Sequence, residues 1–439
     1  MIPLPTAHCP LPIATWYDLR SLANPVNSLL DWLRDIFPDW VAYIVSGLIG
    51  ATAIGLFLGV VMLLLIWVER RVVARIHIRQ GPNRVGPQGL LQPVADALKL
   101  MQKEALTPRE GDRILFWLAP LILFIPTVLV TGVIPFGEGM SVADLNVGVL
   151  FIIAITSAMP LVIFSAGWSS SNKYSTLGAM RVMALVISYE LPAVIALLSL
   201  VTLTGTMQLG EIVQWQADHW MIAGLLLPLP FLIYTISTLA EVGRSPADVT
   251  EAESELGSGY LTEYSGMRWG LFYAAELANA LIFGGLIATF FWGGWWFFGL
   301  ENIIPGWLIF MTKMLLGYWI FVWARGTLPR LRIDQLLQFS WKFLIPIALI
   351  NAMLVAIEVV AWREWDIPNI IAIPLLIVIN VIMAVVLLVG LVRLFGFARI
   401  QTPRRAILTT EVGILNRTPE PNPSAPFPRR EGGELSGVG

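Results

Sequence analysis

Cysteine is nearly absent from this chain: Cys9 is the only one in 439 residues. That excludes a disulfide framework, and it excludes an iron–sulfur cluster or a cysteine-ligated zinc held by this chain alone. Cys9 itself lies in a proline-broken segment that gives it no reactive context. Charge is scarce as well. Asp, Glu, Lys and Arg make up 13% of the residues, against roughly 25% in an average soluble domain. With 56% hydrophobic residues and a mean hydropathy of +0.74, there is too little charge to keep the chain dissolved. A soluble enzyme is excluded, and so is a disordered chain. No internal repeat is evident, which weighs against the inverted-repeat transporters. The N-terminal segment lacks a positive n-region and an uninterrupted apolar core, so no cleavable signal peptide is expected. The net charge of −2 says nothing about partners, because the placement of charge matters more than its sum.

What the chain has instead is long apolar runs. A bilayer core about 30 Å thick needs roughly 20 mostly apolar residues per spanning helix. Nine such runs occur, at 41–68, 114–134, 148–168, 177–204, 220–242, 268–298, 306–325, 343–362 and 369–397. The expected class is therefore an all-α polytopic membrane protein of about nine transmembrane helices. A short amphipathic stretch from Val26 to Phe37 precedes them, and a Pro- and Gly-rich tail that reads as disordered follows them. Of the 28 basic residues, 23 fall on one side of these runs and 3 on the other, namely Arg20, Arg34 and Arg363; Arg181 and Lys313 sit inside runs. By the positive-inside bias the N-terminus is outside and the tail cytoplasmic.

Four stretches depart from apolar monotony. The first leaves span one with Glu69, Arg70 and Arg71, ordinary interfacial anchors taken alone. It continues to a segment, 90–104, with two stripes at helical spacing: Leu90, Val94, Leu98 and Met101 apolar, Gln92, Asp96, Lys99 and Lys103 polar. This predicts a cytoplasmic amphipathic helix at the membrane surface, either an anchor or the wall of a cavity. The intervening GPNRVGPQG turn lacks the Lys-Ser/Thr of a phosphate loop. In the second stretch Glu241 ends span five, and Ser245, Pro246 and Asp248 read as the cap, first and third residues of a short helix stopped by Gly257. That helix would carry Asp248, Glu251, Glu253 and Glu255; a solvated acidic loop is the bland alternative. Glu276 lies inside span six.

The third feature is Arg181 and Glu190 inside span four, with Pro192 two residues on. A carboxylate at that depth must be neutral, paired or wetted, and the proline frees backbone carbonyls that could hold water. Intramembrane carboxyls of this kind are candidates for proton handling. Lys313 and Glu358, nearer the outer ends, read as structural, snorkelling groups. The fourth stretch, 323–346, is a basic hairpin with Arg325, Arg330, Arg332, Asp334 and Lys342. It is a positive-inside loop, a docking surface for a soluble partner, or a brace for the acidic loop.

ERRVVARIHIRQGPNRVGPQGLLQPVADALKL, AEVGRSPADVTEAESELGSGYLTEYSG and WARGTLPRLRIDQLL together resemble the quinone-site membrane subunit of respiratory complex I. This is the H-subunit family of NADH:quinone oxidoreductase, which includes mitochondrial NADH dehydrogenase subunit 1. The resemblance covers about 41–362, an eight-helix core. It leaves 1–40 as an outside extension, 363–397 as an additional ninth helix and 398–439 as a polar cytoplasmic tail. It implies that Glu69, Arg70, Asp96, Lys99 and Phe272 belong to a quinone channel. It implies a proton path through Glu190, Glu241, Asp248, Glu251, Glu253, Glu255 and Glu276, steadied by Arg181, Arg244 and Arg325. Electron transfer, FMN and the iron–sulfur clusters would belong to partner subunits, with quinone as substrate and no metal or cofactor bound by this chain. The implied partners are peripheral quinone-site subunits, antiporter-like membrane subunits and lipid, in a bacterial-type inner membrane. His77, Gly243 and Ala247 stand where the family commonly has Gln, Asn and Phe. Two other readings share these features: the homologous subunit of a membrane-bound hydrogenase or ferredoxin-dependent complex, and a proton-coupled secondary transporter using Glu190 and Glu276.

Overall fold

The computed structural model describes residues 38–248, 257–364 and 368–394. Among them every regular element is helical. Eight helical segments are long and apolar enough to cross a bilayer: Ile44–Ile76, Arg113–Val133, Gly148–Ser169, Lys173–Thr204, Gly266–Phe291, Gly306–Thr327, Ile333–Glu364 and Ala372–Gly390. The all-α, multi-pass class expected from composition is what the chain adopts. The N-terminal amphipathic stretch and the polar tail lie outside the described residues. The chain divides into two compact units, 1–387 and 388–439, and of the second only 388–394 are described.

Helix α1 (Asp39–Ile76) has 38 residues, or about 57 Å at 1.5 Å per residue. It outruns the hydrocarbon, so its last turns stand at the membrane surface. Leu58, Met62, Leu65 and Glu69 are all buried, at helical spacing, so Glu69 continues the stripe by which α1 packs. The amphipathic helix follows as α2 (Gln92–Gln102), with its apolar stripe outward: Leu98 is 54% and Met101 67% exposed.

Helices α3 (Arg113–Val133), α4 (Gly148–Thr156), α5 (Met159–Ser169) and α6 (Lys173–Thr204) come next. Asp112 caps α3 by accepting from the amides of Ile114 and Leu115. The run at 148–168 is two helices rather than one, because Pro160 in the first turn of α5 has no amide to continue α4. The break falls at Ser157 and Ala158. Pro192, in contrast, leaves α6 continuous. A proline frees the carbonyl four residues before it, here that of Ser188, and Ser340 Oγ donates to that oxygen at 2.5 Å. A hydroxyl from another element thus takes the place expected for water.

The fifth apolar run does not form one helix. After α7 (Leu209–Asp218) it splits into α8 (Ala223–Leu226) and α9 (Pro228–Glu241). Pro228 forbids helical continuation, and Leu227 before it is out of the helical region at φ −120°, ψ 64°. α9 is 14 residues, about 21 Å, short for a full crossing. α7 folds back to complete the outer end, where buried Gln216 donates to the carbonyls of Thr289 (3.2 Å) and Phe290 (3.3 Å).

Helix α10 (Gly266–Phe291) is the centre of the bundle, buried on nearly every side from Leu277 to Phe291. It ends seven residues short of the apolar run because Gly293 and Gly294 adopt positive φ. Helix α11 (Gly306–Thr327) crosses it at Gly284 and Gly317, where a Cβ on either would lie 2.7 Å from the other helix's backbone. Helix α12 (Ile333–Phe339) joins α13 (Ile345–Glu364) through a π turn at Ser340–Leu344, and α14 (Asn369–Leu394) follows.

Candidate functional site

Four elements meet where α1 leaves the membrane. Glu69, 4% exposed, accepts from Arg244 Nη1 at 2.9 Å, from Arg325 Nη1, and from the Tyr318 hydroxyl at 3.0 Å. Arg244 Nε lies 3.5 Å from Glu276 Oε1. Two carboxylates and two guanidiniums therefore balance within one buried hub. Arg244 is 4% exposed. Burial opposes its charge, but Glu276 and Glu69 outweigh burial and hold the guanidinium protonated above its ordinary range. Beside the hub opens a polar pocket of about 570 Å³, lined by Glu69, Arg70, Arg79, Gln80, Tyr273 and Arg325 among others. Arg70 reaches from its rim to Asp96 on α2 at 2.5 Å, and Gln92 donates to the same carboxylate at 3.1 Å. Burial alone would raise the Asp96 carboxyl. The hydrogen bonds from Arg70 and Gln92 and the nearby Arg70 and Lys99 charges hold it below the usual range.

A separate cavity of about 50 Å³ has Glu190 of α6, Glu241 at the end of α9 and Glu276 of α10 on its wall, with Thr156, Asn279, Tyr260 and Phe272. At roughly 10–15 Å³ per water centre, that is room for a few waters. Among the described residues no lysine, arginine or histidine lines it. Glu276 is the member common to both sites: Arg244 faces its carboxylate, and its side chain closes the cavity. Gly243, on the cavity wall, has φ +70°, a conformation that Gly and Asn both accept. Ala247 is buried on the same wall.

The structure thus gathers the expected residues into two groups. Glu69, Arg70, Asp96, Arg244 and Arg325 surround the hub and pocket; Glu190, Glu241 and Glu276 share the cavity. Lys99 is exposed on α2. Phe272 does not line the polar pocket. It stands in the carboxylate cavity, edge-on to Tyr260 (5.5 Å) and Tyr264 (4.8 Å). Burial pushes the Tyr264 phenol up to about 12, so this aromatic wall carries no charge near neutral pH. Arg181 lies half-buried on α6, nine residues before Glu190.

The helix expected from Ser245 does not begin there. Residues 245–248 form a turn in which the Ala247 amide bonds to the Arg244 carbonyl at 2.9 Å, and the Pro246 carbonyl is taken by the Leu331 amide at 3.1 Å. Arg244 is pinned in the hub and Pro246 to the basic hairpin, which leaves no room for a cap. Asp248 ends this turn half-buried. Glu251, Glu253 and Glu255 lie outside the described residues. Nor does Lys313 snorkel. Its ammonium turns inward and donates to the carbonyls of Trp292 (2.6 Å), Gly294 (2.9 Å) and Trp296 (2.5 Å), closing the end of α10. Glu358 accepts from Asn380 of α14 at 2.8 Å.

Three contributors escaped the sequence reading. Tyr318 stands seven residues before Arg325, on the same helical face. Asn279 stands three after Glu276 and accepts from Thr127 Oγ1 at 2.8 Å. Ser157, at the α4–α5 break, contacts Glu190. The first two carry a spacing signal; Ser157 carries none without its partner helix. Among the described residues no group of three His, Cys, Asp or Glu could hold a metal ion.

Fold and charge placement define a multi-pass helical membrane protein with a buried ionic hub and a carboxylate cavity. A family model described as NADH dehydrogenase matches residues 49–356, and the chain belongs to that family. Similar curated proteins include the NADH-quinone oxidoreductase H subunit of Dehalococcoides mccartyi, 46% identical over 317 residues (72% of this chain, 88% of the relative). That of Phocaeicola vulgatus is 42% identical over 355 residues (78% and 98%). That of Carboxydothermus hydrogenoformans is 45% identical over 343 residues (77% and 96%).

Proposed function

We propose that this chain is the quinone-site membrane subunit of a proton-pumping NADH:quinone oxidoreductase, joining quinone reduction to proton movement through its carboxylates. The names of its relatives favour this over the hydrogenase and transporter readings. The observation that carries it is the double engagement of Glu276, tied to Arg244 on one side and open to Glu190 and Glu241 on the other. Quinone enters from the bilayer along α1 and α2, past Glu69, Arg70 and Asp96, and is reduced by electrons that arrive through partner subunits. Reduction to quinol takes up two electrons and two protons; the quinol is neutral, and the protons it draws from neighbouring groups leave negative charge behind beside the pocket. The Glu69–Arg244–Arg325 hub responds because its own charges are balanced and buried: a nearby charge must be met by rearrangement or by proton movement. Arg244 is its link to Glu276. Withdrawal of Arg244 takes a cation away from Glu276, in a cavity that already holds two carboxylates, and a proton taken there can pass by water to Glu241 and Glu190. Asp248, Glu251, Glu253 and Glu255 supply protons from the cytoplasmic side.

In this reading the peripheral quinone-site subunits, with FMN and iron–sulfur clusters among them, dock on the cytoplasmic face of the basic hairpin and α2. Antiporter-like membrane subunits receive the proton signal beyond Glu190. The membrane is a bacterial-type inner membrane, with the N-terminus outside and the tail cytoplasmic by the 23-to-3 bias of basic residues. Residues 1–40, the ninth helix and the tail are additions to an eight-helix core.

The test uses the assembled complex in proteoliposomes. Glu276→Gln and Glu241→Gln should each leave the subunits assembled and lower quinone-coupled proton translocation at least about tenfold, a loss of roughly 1.4 kcal/mol or more in coupling. Full translocation in both variants refutes the path.

A further inference from the structure

The contact between Ser157 and Glu190 poses a problem of hydrogen counting. A serine hydroxyl has one hydrogen and two lone pairs. Ser157 Oγ has two oxygens within hydrogen-bond reach, the Ile153 carbonyl at 2.8 Å and Glu190 Oε1. It cannot donate to both at once. The Ile153 carbonyl, meanwhile, is generously supplied. The Ser157 amide donates to it at 3.0 Å, and the Thr156 hydroxyl lies 3.1 Å from both it and the Ile152 carbonyl, so it does not depend on the Ser157 hydroxyl.

Two arrangements satisfy every group. With Glu190 ionised, Ser157 turns its hydrogen onto the carboxylate, and the Ile153 carbonyl keeps the Ser157 amide as donor. With Glu190 protonated, the carboxylic acid donates to Ser157 Oγ, and the serine turns its hydrogen back to Ile153. The same oxygen is donor in one state and acceptor in the other, and neither state leaves a polar group unpaired in the membrane. We infer that Ser157 is a positioning residue for Glu190: a hydroxyl rotor that lets the deepest carboxylate of the cavity gain and lose a proton without losing a partner. The inference rests on the proton-path reading of the cavity, and it adds to that path a residue with no charge and no titration of its own.

The location fits. Ser157 occupies the break between α4 and α5, where the chain is already released from regular helix by Pro160. A hydroxyl there can turn without breaking a helical hydrogen bond. The titratable groups sharing the cavity wall with Glu190 are Glu241, Glu276 and Tyr260. α4 and α5 carry no charged residue; α6 also carries Lys173, Tyr174, Arg181 and Tyr189. Among the described residues of the other elements packed around α6, Tyr234 on α9, Asp334 and Lys342 on α12 and the π turn, and Glu358, Arg363 and Glu364 at the far end of α13 are the remaining ones.

A hydrogen bond to a charged group is worth about 1 kcal/mol more than a neutral one, and one pH unit corresponds to roughly 1.36 kcal/mol. Ser157→Ala should therefore move the pH profile of quinone-coupled turnover alkaline by about one unit in the assembled complex, because the ionised form of Glu190 loses the stronger bond. Ser157→Thr keeps the hydroxyl and should restore the profile. In the Glu190→Gln background Ser157→Ala should shift nothing. Infrared difference spectra supply a second readout: the Glu190 carboxylic-acid band, identified by its loss in Glu190→Gln, should move in Ser157→Ala and return in Ser157→Thr. An unshifted profile together with an unmoved band overturns the inference. Full coupling in Glu190→Gln overturns the proton-path reading instead, and the infrared band then decides the role of Ser157 alone.

Discussion

The ionic hub and the carboxylate cavity lie on opposite sides of Glu276 and are built on opposite principles. In the hub, Glu69 and Glu276 are met by Arg244 and Arg325, and Tyr318 donates to the other oxygen of Glu69. Among the described residues the cavity is lined by three carboxylates and no cation. A balanced cluster of buried charges resists change, because removing one member strands the rest. A cluster of like charges can be relieved only by protons or water. The hub sets its carboxylates beside guanidiniums and the cavity gathers carboxylates together, with Glu276 shared between them; in the proposed path, that sharing is what turns a disturbance of the first into a proton event in the second.

The contrast fails if the two regions respond alike to substitution. The largest effect should come from Glu69→Ala, which leaves Arg244 and Arg325 facing each other. A loss of about 3–5 kcal/mol is expected, as for breaking a buried pair, read as a lower thermal midpoint and a poor yield of assembled complex. Tyr318→Phe removes one donor to a buried carboxylate and should cost roughly 1.5–3 kcal/mol, with the same readout and without loss of the polar pocket. The Arg70–Asp96 bridge is partly solvated, with side-chain exposures of 42% and 25%, so Asp96→Asn should cost at most roughly 1 kcal/mol after screening. The sign follows from the carboxyl being held low in the folded state. Its contribution is complete above the unfolded value of about 3.9 and is lost as pH falls through the folded value. A midpoint measured at pH 7 should therefore reveal the Asp96→Asn loss, while added salt or strong acid should erase it. Smallest of all is Glu241→Gln, which removes a like charge and should leave the midpoint within about 2 °C. A drop there comparable to that of Glu69→Ala would make hub and cavity one structural unit.

Much of this was legible in the sequence, and the reason differs between features. The class and most spans follow from apolar runs, since backbone in lipid has little choice but helix. The fifth span was misjudged because hydropathy cannot see that the chain breaks at Leu227 before Pro228, while Pro192 leaves α6 whole and Ser340 takes the carbonyl it frees. The charged members of both sites were found one by one, because an intramembrane carboxylate is conspicuous among leucines. Their grouping was not. Arg244 is separated from Glu69 by 175 positions and Arg325 from it by 256, and no periodicity spans such distances. Phe272, placed in the channel by resemblance, lines the carboxylate cavity, and Lys313 turns inward to three carbonyls at a Gly-terminated helix end.

The Gly284–Gly317 crossing sets a mechanical ratio. Glu276 and Arg325 each lie eight residues from that contact, on α10 and α11, and so stand about 12 Å along equal arms from a common fulcrum. With backbone against backbone there is no cushion of side chains at the pivot. A change of about 5° in crossing angle would shift the two arm ends by about 1 Å relative to one another, enough to make or break a single ion-pair contact at that end.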